Sequence, residues 1–241
     1  MSAGGELLSE IALELRKMVS PGVTTGDLDR KAEELFRKKK LGAAFLNYGV
    51  PPFPGRICAS LNDEVVHGIP SDKRVLKNGD LVSIDLGGVW KGLYTDMAFT
   101  ASAGVPSEKA ERLMKVTRQA LEAGVRKMTV ASRLGDVSAA VQQLAESEGY
   151  SVVKELVGHG VGRSLHEAPN LPNYGVPGTG INLEPGLVLA LEPMVNEGSD
   201  GIRYDEDRWT VRTVDGGLSC HFEYTVAVTG NGPRVLTKFL W

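Results

Sequence analysis

Cysteine is scarce in this sequence: only Cys58 and Cys220 occur. That excludes a disulfide framework and reads as two buried thiols of a reducing compartment. Long apolar runs are missing as well. Stretches such as Leu187–Leu191 fall far short of the ~20 residues a membrane-spanning helix needs. The opening MSAGGELLSEIALELRK carries acids where a signal peptide needs bases and an apolar block, so the cytoplasm is the expected compartment. There is no basic excess: 27 Lys and Arg face 30 Asp and Glu, for a net charge of −3. A nucleic-acid binder would normally be basic, so neither nucleic acid nor membrane is expected as a partner. With 42% hydrophobic and 24% charged residues, the chain is neither disordered nor collagen-like.

What is present is a chain of 241 residues, near the upper limit for one hydrophobic core. Glycine is plentiful at 29 residues, as expected of many tight turns. Leu8, Ile11, Ala12, Leu15, Met18 and Val19 recur at helical spacing up to Ser20-Pro21-Gly22. A second helix is expected from a cap at Thr25 or Asp27, with Leu28, Ala32, Leu35 and Phe36 on one face. Strands are expected over 57–61, 81–86 and 93–100, and helices over 107–125 and 136–148.

The second half repeats the plan of the first. Gly26-Asp27-Leu28 answers Gly135-Asp136-Val137, His67-Gly68 answers His159-Gly160, Asp85 answers Glu192, and Asp96 answers Glu223. Four matches in one order indicate two related halves, roughly 1–105 and 106–241, sharing one core. The expected class is α+β, with a curved antiparallel sheet covered by helices and a ligand site between the halves.

Asp85 ends the apolar run LVSID, and Asp96 sits within LYTDMAFT. An unpaired carboxylate in such a setting costs several kcal/mol to bury. A hairpin turning on Trp90-Lys91 would place Asp85 directly opposite Asp96, where two carboxylates require a cation or a shared proton. Glu192 in LVLALEPMV and Glu223 in SCHFEYTVAVT repeat the problem. Strand alternation puts Glu223 on one face with His221 and Thr225. Four carboxylates with His159 from GHGVG form an oxygen-rich ligand set suited to Mn²⁺, Fe²⁺, Co²⁺ or Zn²⁺. Four negative charges balance two divalent ions, and two-metal centres serve hydrolysis by activating water.

The strings EVVHGIP, LVSIDLGG, YTDMAFT, GHGVGRSLHEAPN, LALEPMV and FEYTVAVT, in this order, resemble the type I methionine aminopeptidases, which have the duplicated pita-bread fold. The resemblance runs over nearly the whole chain and implies one catalytic domain, 1–241. It implies Asp85, Asp96, His159, Glu192 and Glu223 as metal ligands, with Asp96 and Glu223 bridging two divalent ions. Glu192 would also handle the proton of the attacking water. His67 would contact the peptide nitrogen on the leaving side, and His166 would steady the carbonyl oxygen as it gains charge. Peptide and nascent-protein N-termini are the implied partners, with the ribosome a further candidate, and the implied state is a monomer. His221 matches no functional position and is expected to be structural, contact with the metal side of Glu223 being its alternative.

Two departures touch the expected methionine pocket. The loop Asn47-Tyr48-Gly49-Val50-Pro51-Pro52-Phe53-Pro54 is longer by two than the family's and lacks its histidine. Leu165 stands where a phenylalanine usually precedes the motif histidine. Tyr48, Phe53 and Trp209 remain to line the pocket with Leu165, His67 and His166. The fold by itself also suits a broader or proline-directed aminopeptidase, or a binding module that has kept its metal. Prolidase-like enzymes usually carry a separate N-terminal domain, whereas this sequence opens on the expected first helix. Type II enzymes carry a helical insertion between the positions of His159 and Glu192, here only 33 residues apart.

Overall fold

The computed structural model describes residues 1–238. Four helices carry the apolar stripes: α1 (Ser2–Met18), α2 (Thr25–Lys39), α3 (Glu108–Lys127) and α4 (Leu134–Ser147). None of the described helices is long and apolar enough to cross a membrane. Leu8, Ile11, Ala12 and Leu15 of α1 and Leu28, Ala32, Leu35 and Phe36 of α2 are buried together. The cap of α2 is Thr24, not Thr25 or Asp27. Thr24 is extended (φ −93°, ψ 155°), its Oγ1 accepts from the Asp27 amide, and Asp27 returns an acceptor to the Thr24 amide at 2.9 Å. Asp136 does the same in α4, accepting from the Arg133 amide at 2.7 Å. The Gly-Asp repeat thus marks the same turn of two helices.

The strands in chain order are β1 (Gly42–Ala43), β2 (Cys58–Leu61), β3 (Glu64–Val66), β4 (Leu81–Trp90), β5 (Leu93–Ser102), β6 (Ser151–Val152), β7 (Val157–Gly160) and β8 (Glu167–Pro172). They continue as β9 (Val188–Leu191), β10 (Met194–Asn196), β11 (Ile202–Tyr204), β12 (Val211–Thr213), β13 (Ser219–His221), β14 (Glu223–Thr229) and β15 (Gly232–Val235). The main sheet runs β1-β4-β5-β14-β9-β7-β8, with β2 also on β4 and β15 also on β14. Two small sheets, β13-β10-β6 and β11-β12-β3, complete the fold. Among the described residues every pairing is antiparallel. Helix α1 packs on β4 and β5, and α3 packs on α4, β9, β13 and β14. The apolar core between helices and sheet is continuous from Leu8 to Val228.

The halves meet where β14 pairs with β5, Glu223 opposite Ala98 and Tyr224 opposite Met97. Asp85 and Asp96 lie on β4 and β5 to one side, and Glu192 and Glu223 lie at β9 and β14 to the other. His67 breaks the symmetry the sequence suggested. It follows β3 in a small sheet, whereas His159 lies in β7 of the main sheet.

The β4–β5 hairpin turns one residue later than expected. Trp90 pairs with Leu93, and the turn is Lys91-Gly92, both with positive φ (51° and 76°). A two-residue turn of this hand requires positive φ at both central positions, which Gly92 meets without strain and Trp90 would not. Asp85 therefore pairs with Ala98, and Asp96 pairs with Gly87. The two acids are diagonal neighbours on one face, not directly opposed.

Candidate metal centre

The pairing puts Asp85, Ala98 and Glu223 in one row across β4, β5 and β14. Asp96 lies two residues along on the same face. Ala98 between the two carboxylates is small enough to leave space above it. Asp96 is fixed from behind: its amide donates to Thr225 Oγ1 at 2.8 Å, and its Oδ1 accepts from the Met97 amide at 3.0 Å. Asp96, His159 and Glu223 each bring one ligand atom within 4.8 Å of the others'. Glu192 closes the group from the end of β9, its Oε1 3.5 Å from His159 Nε2.

His159 is held between two glycines because the neighbouring strands come too close for side chains. A Cβ on Gly158 would lie 2.4 Å from the Ala190 carbonyl, and one on Gly160 2.4 Å from the Ala168 carbonyl. His159 Nδ1 is 2.9 Å from the Gly160 carbonyl. A carbonyl only accepts, so Nδ1 carries the proton and Nε2 offers a bare lone pair to the cavity. That is the second contact by which a ligating histidine is oriented.

Burial raises the carboxyls of Asp85, Glu192 and Glu223 well above the ordinary carboxylate range, and repulsion from neighbouring acids, Asp96 first, raises them further. Asp96 is pushed up to about 7, again by burial. Asp85 Oδ1 and Glu223 Oε1 are buried without a hydrogen-bond partner. Orphaned carboxylate oxygens, crowded acids and an imidazole with a bare Nε2 together fit hard or borderline divalent cations. These five residues are the ones that could hold such ions.

A cavity of about 200 Å³ opens over this floor. Phe45, Phe53, Cys58, Leu165 and Trp209 form its apolar wall, and Tyr48, His67 and His166 its polar rim. Every site residue expected from the sequence lines this one cavity. Trp209 meets Phe53 edge-on at 5.2 Å between ring centroids and His67 at 6.0 Å. Burial lowers His67 to about 4, so it is neutral at physiological pH. His166, open at the mouth, is also lowered, by desolvation first and then by the neighbouring His159 and His67 rings, beside which a further imidazolium is unfavourable.

Two lining residues escaped the sequence reading, and a third, His221, was expected to be structural. Phe45 and Cys58 stand in the wall, and burial pushes the Cys58 thiol far up, with Asp85 opposite adding to it. His221 lies beside Glu192, one of the acids of the same cluster. Its Nε2 is 3.6 Å from Glu192 Oε2, and neither ring nitrogen has a hydrogen-bond partner. Thr100 pins the His221 backbone at both its amide and its carbonyl. Strand alternation pointed His221 into the site but could not say which acid it would meet.

The profile of metallopeptidase family M24 matches residues 1–230. The methionine aminopeptidase of Clostridium acetobutylicum is 46% identical over 237 residues, covering 98% of this chain and 94% of that protein. Methionine aminopeptidase 1 of Bacillus subtilis is 44% identical, covering 99% and 95%. The crystal structure of methionine aminopeptidase from Thermotoga maritima superposes with a TM-score of 0.96 at 44% identity, covering 99% of this chain and 95% of that one.

Proposed function

The chain belongs to the methionine aminopeptidases of metallopeptidase family M24, and on that premise we propose that it removes the N-terminal methionine from peptides and nascent proteins whose second residue is small. The observation that carries the reading is one cavity in which four acids and His159 form the floor beside an apolar wall of Phe45, Phe53, Leu165 and Trp209.

Asp85, Asp96, His159, Glu192 and Glu223 would hold two divalent ions, four carboxylates balancing four positive charges. Mn²⁺, Fe²⁺, Co²⁺ and Zn²⁺ all suit such donors. When bound, the ions supply Lewis-acid polarisation of the scissile carbonyl and an acidified water. Glu192 takes the proton of the attacking water and hands it to the departing amine. His166 donates to the carbonyl oxygen as it gains charge, and His67 contacts the nitrogen on the leaving side. Phe53, Leu165 and Trp209, with Tyr48 at the rim, receive the methionine side chain. The reaction calls for no second subunit, and the enzyme acts as a cytoplasmic monomer that meets chains as they leave the ribosome.

The test is metal titration of the purified protein coupled to an assay on Met-Ala-Ser, Met-Gly-Ser and Met-Lys-Ser peptides. The first two should be cut and the third hardly at all. Equal rates across the set would instead mark a broad aminopeptidase, and metal binding without cleavage would mark an interaction module.

A further inference from the structure

The lengthened loop delivers a side chain to the catalytic rim. Tyr48 Oη lies 2.6 Å from Nδ1 of His166, which is 118 residues away in sequence. The two ring centroids sit 5.3 Å apart, and the His159 ring lies 4.2 Å from that of His166. His166 thus neighbours two rings and is tethered at one nitrogen.

The loop is built to hold Tyr48 there. Asn47 (φ 65°) and Gly49 (φ 75°) take the left-handed conformation on either side of it. The Tyr48 amide donates to the Phe45 carbonyl at 2.9 Å, and the Phe53 amide donates to the Tyr48 carbonyl at 2.8 Å. Gly49 has no room for a side chain, since a Cβ would lie 2.6 Å from Cη2 of Trp209. Trp209 Nε1 donates back to the Pro51 carbonyl at 3.1 Å, locking loop and indole together.

A neutral imidazole carries one N–H, and a phenol hydroxyl is a donor as well as an acceptor. If the phenol donates to Nδ1, the ring proton must reside on Nε2, the only nitrogen left to face the substrate. The opposite tautomer would present a lone pair to an oxygen that is gaining negative charge. We propose that Tyr48 is a positioning residue that fixes His166 in the Nε2-protonated tautomer and aims that N–H at the substrate carbonyl. The inference rests on the reading of His166 as the carbonyl donor. Tyr48 is 41% exposed at the rim, whereas Phe45, Phe53 and Leu165 already close the apolar wall, so its hydroxyl is free for this task.

The experiment is a double-mutant cycle on the metal-loaded enzyme with Y48F, H166A and Y48F/H166A, assayed on Met-Ala-Ser. Y48F should lose roughly 10 to 100-fold in kcat, the usual effect of removing a group that orients a catalytic one, with KM changed by less than about twofold. The double variant should be no worse than H166A alone. Nitrogen-15 NMR of the zinc-loaded enzyme should show His166 protonated at Nε2, and a tautomer mixture in Y48F. Additive losses, an unchanged kcat in Y48F beside an impaired H166A, or Nδ1 protonation in the wild type would each overturn the role of Tyr48. A wild-type kcat in H166A would overturn the donor reading beneath it as well.

Discussion

Replacing Asp96 by asparagine should stabilise the metal-free protein while crippling its ability to bind metal. Asp96 is fully buried among Asp85, Glu192 and Glu223, and its carboxyl rises from an ordinary 3.8 to about 7. Because the folded-state value is raised, the group's favourable contribution is complete below pH 3.8 and is lost as pH climbs through about 7. At pH 8 a shift of ~3 units corresponds to about 4 kcal/mol of lost stability, at ~1.36 kcal/mol per unit. At pH 5, where the folded carboxyl is still protonated, the same linkage gives only about 1.5 kcal/mol. Asparagine cannot ionise, and its Oδ1 can still accept from the Met97 amide. Metal-free D96N should therefore melt above the metal-free wild type at pH 8 by roughly 8 to 16 °C, at ~2–4 °C per kcal/mol for a chain of this size. The gap should narrow at pH 5. Added Mn²⁺ or Co²⁺ should reverse the order, raising the wild type and leaving D96N nearly unmoved. The assay is urea or thermal denaturation of both proteins at pH 5 and 8, with chelator and with metal. Metal-free D96N that is no more stable than wild type at pH 8 would refute the claim that burying this carboxylate strains the metal-free site.

Two further predictions follow from the same cavity. E192Q should bind metal more weakly and lose ~10² to 10⁴ in rate at saturating metal, the usual worth of general acid-base help; near-normal turnover, with metal content checked by elemental analysis, would remove the proton-transfer role. Leu165 leaves more room and less sulfur-to-ring contact than an aromatic would, a difference of ~0.3 to 1.5 kcal/mol. L165F should therefore sharpen preference for methionine over norleucine and leucine in kcat/KM on the corresponding Ala-Ser peptides, and unchanged ratios would show that residue 165 does not set side-chain choice.

The four helices and the two long strands were legible because each carries a long apolar period, and the acids that line the cavity because all four stood in runs too apolar for bare charge. The hairpin register was not, since a one-residue shift between Trp90-Lys91 and Lys91-Gly92 rests on backbone sign, which hydropathy does not encode. The small sheets around β3 and β10 consist of strands of two or three residues, too short for any period to show. His67 looked like a partner of His159 because a dipeptide match says nothing of which sheet receives it. Contacts such as Tyr48 to His166, or His221 to Glu192, depend on where distant segments cross, and a single sequence carries no trace of them.

The place of β14 between β5 and β9 has a consequence for how the molecule is born. Until residues 223–229 have been synthesised, β5 and β9 share no neighbour. Asp85 and Asp96 then ride on one fragment of sheet, and His159 and Glu192 on another. Pairings that close over such long stretches of chain form late and slowly. A metal ion cannot template this fold as zinc templates a finger domain, where ligands and folding nucleus are the same few residues. Until β14 is in place, the acids of the two halves cannot line one cavity.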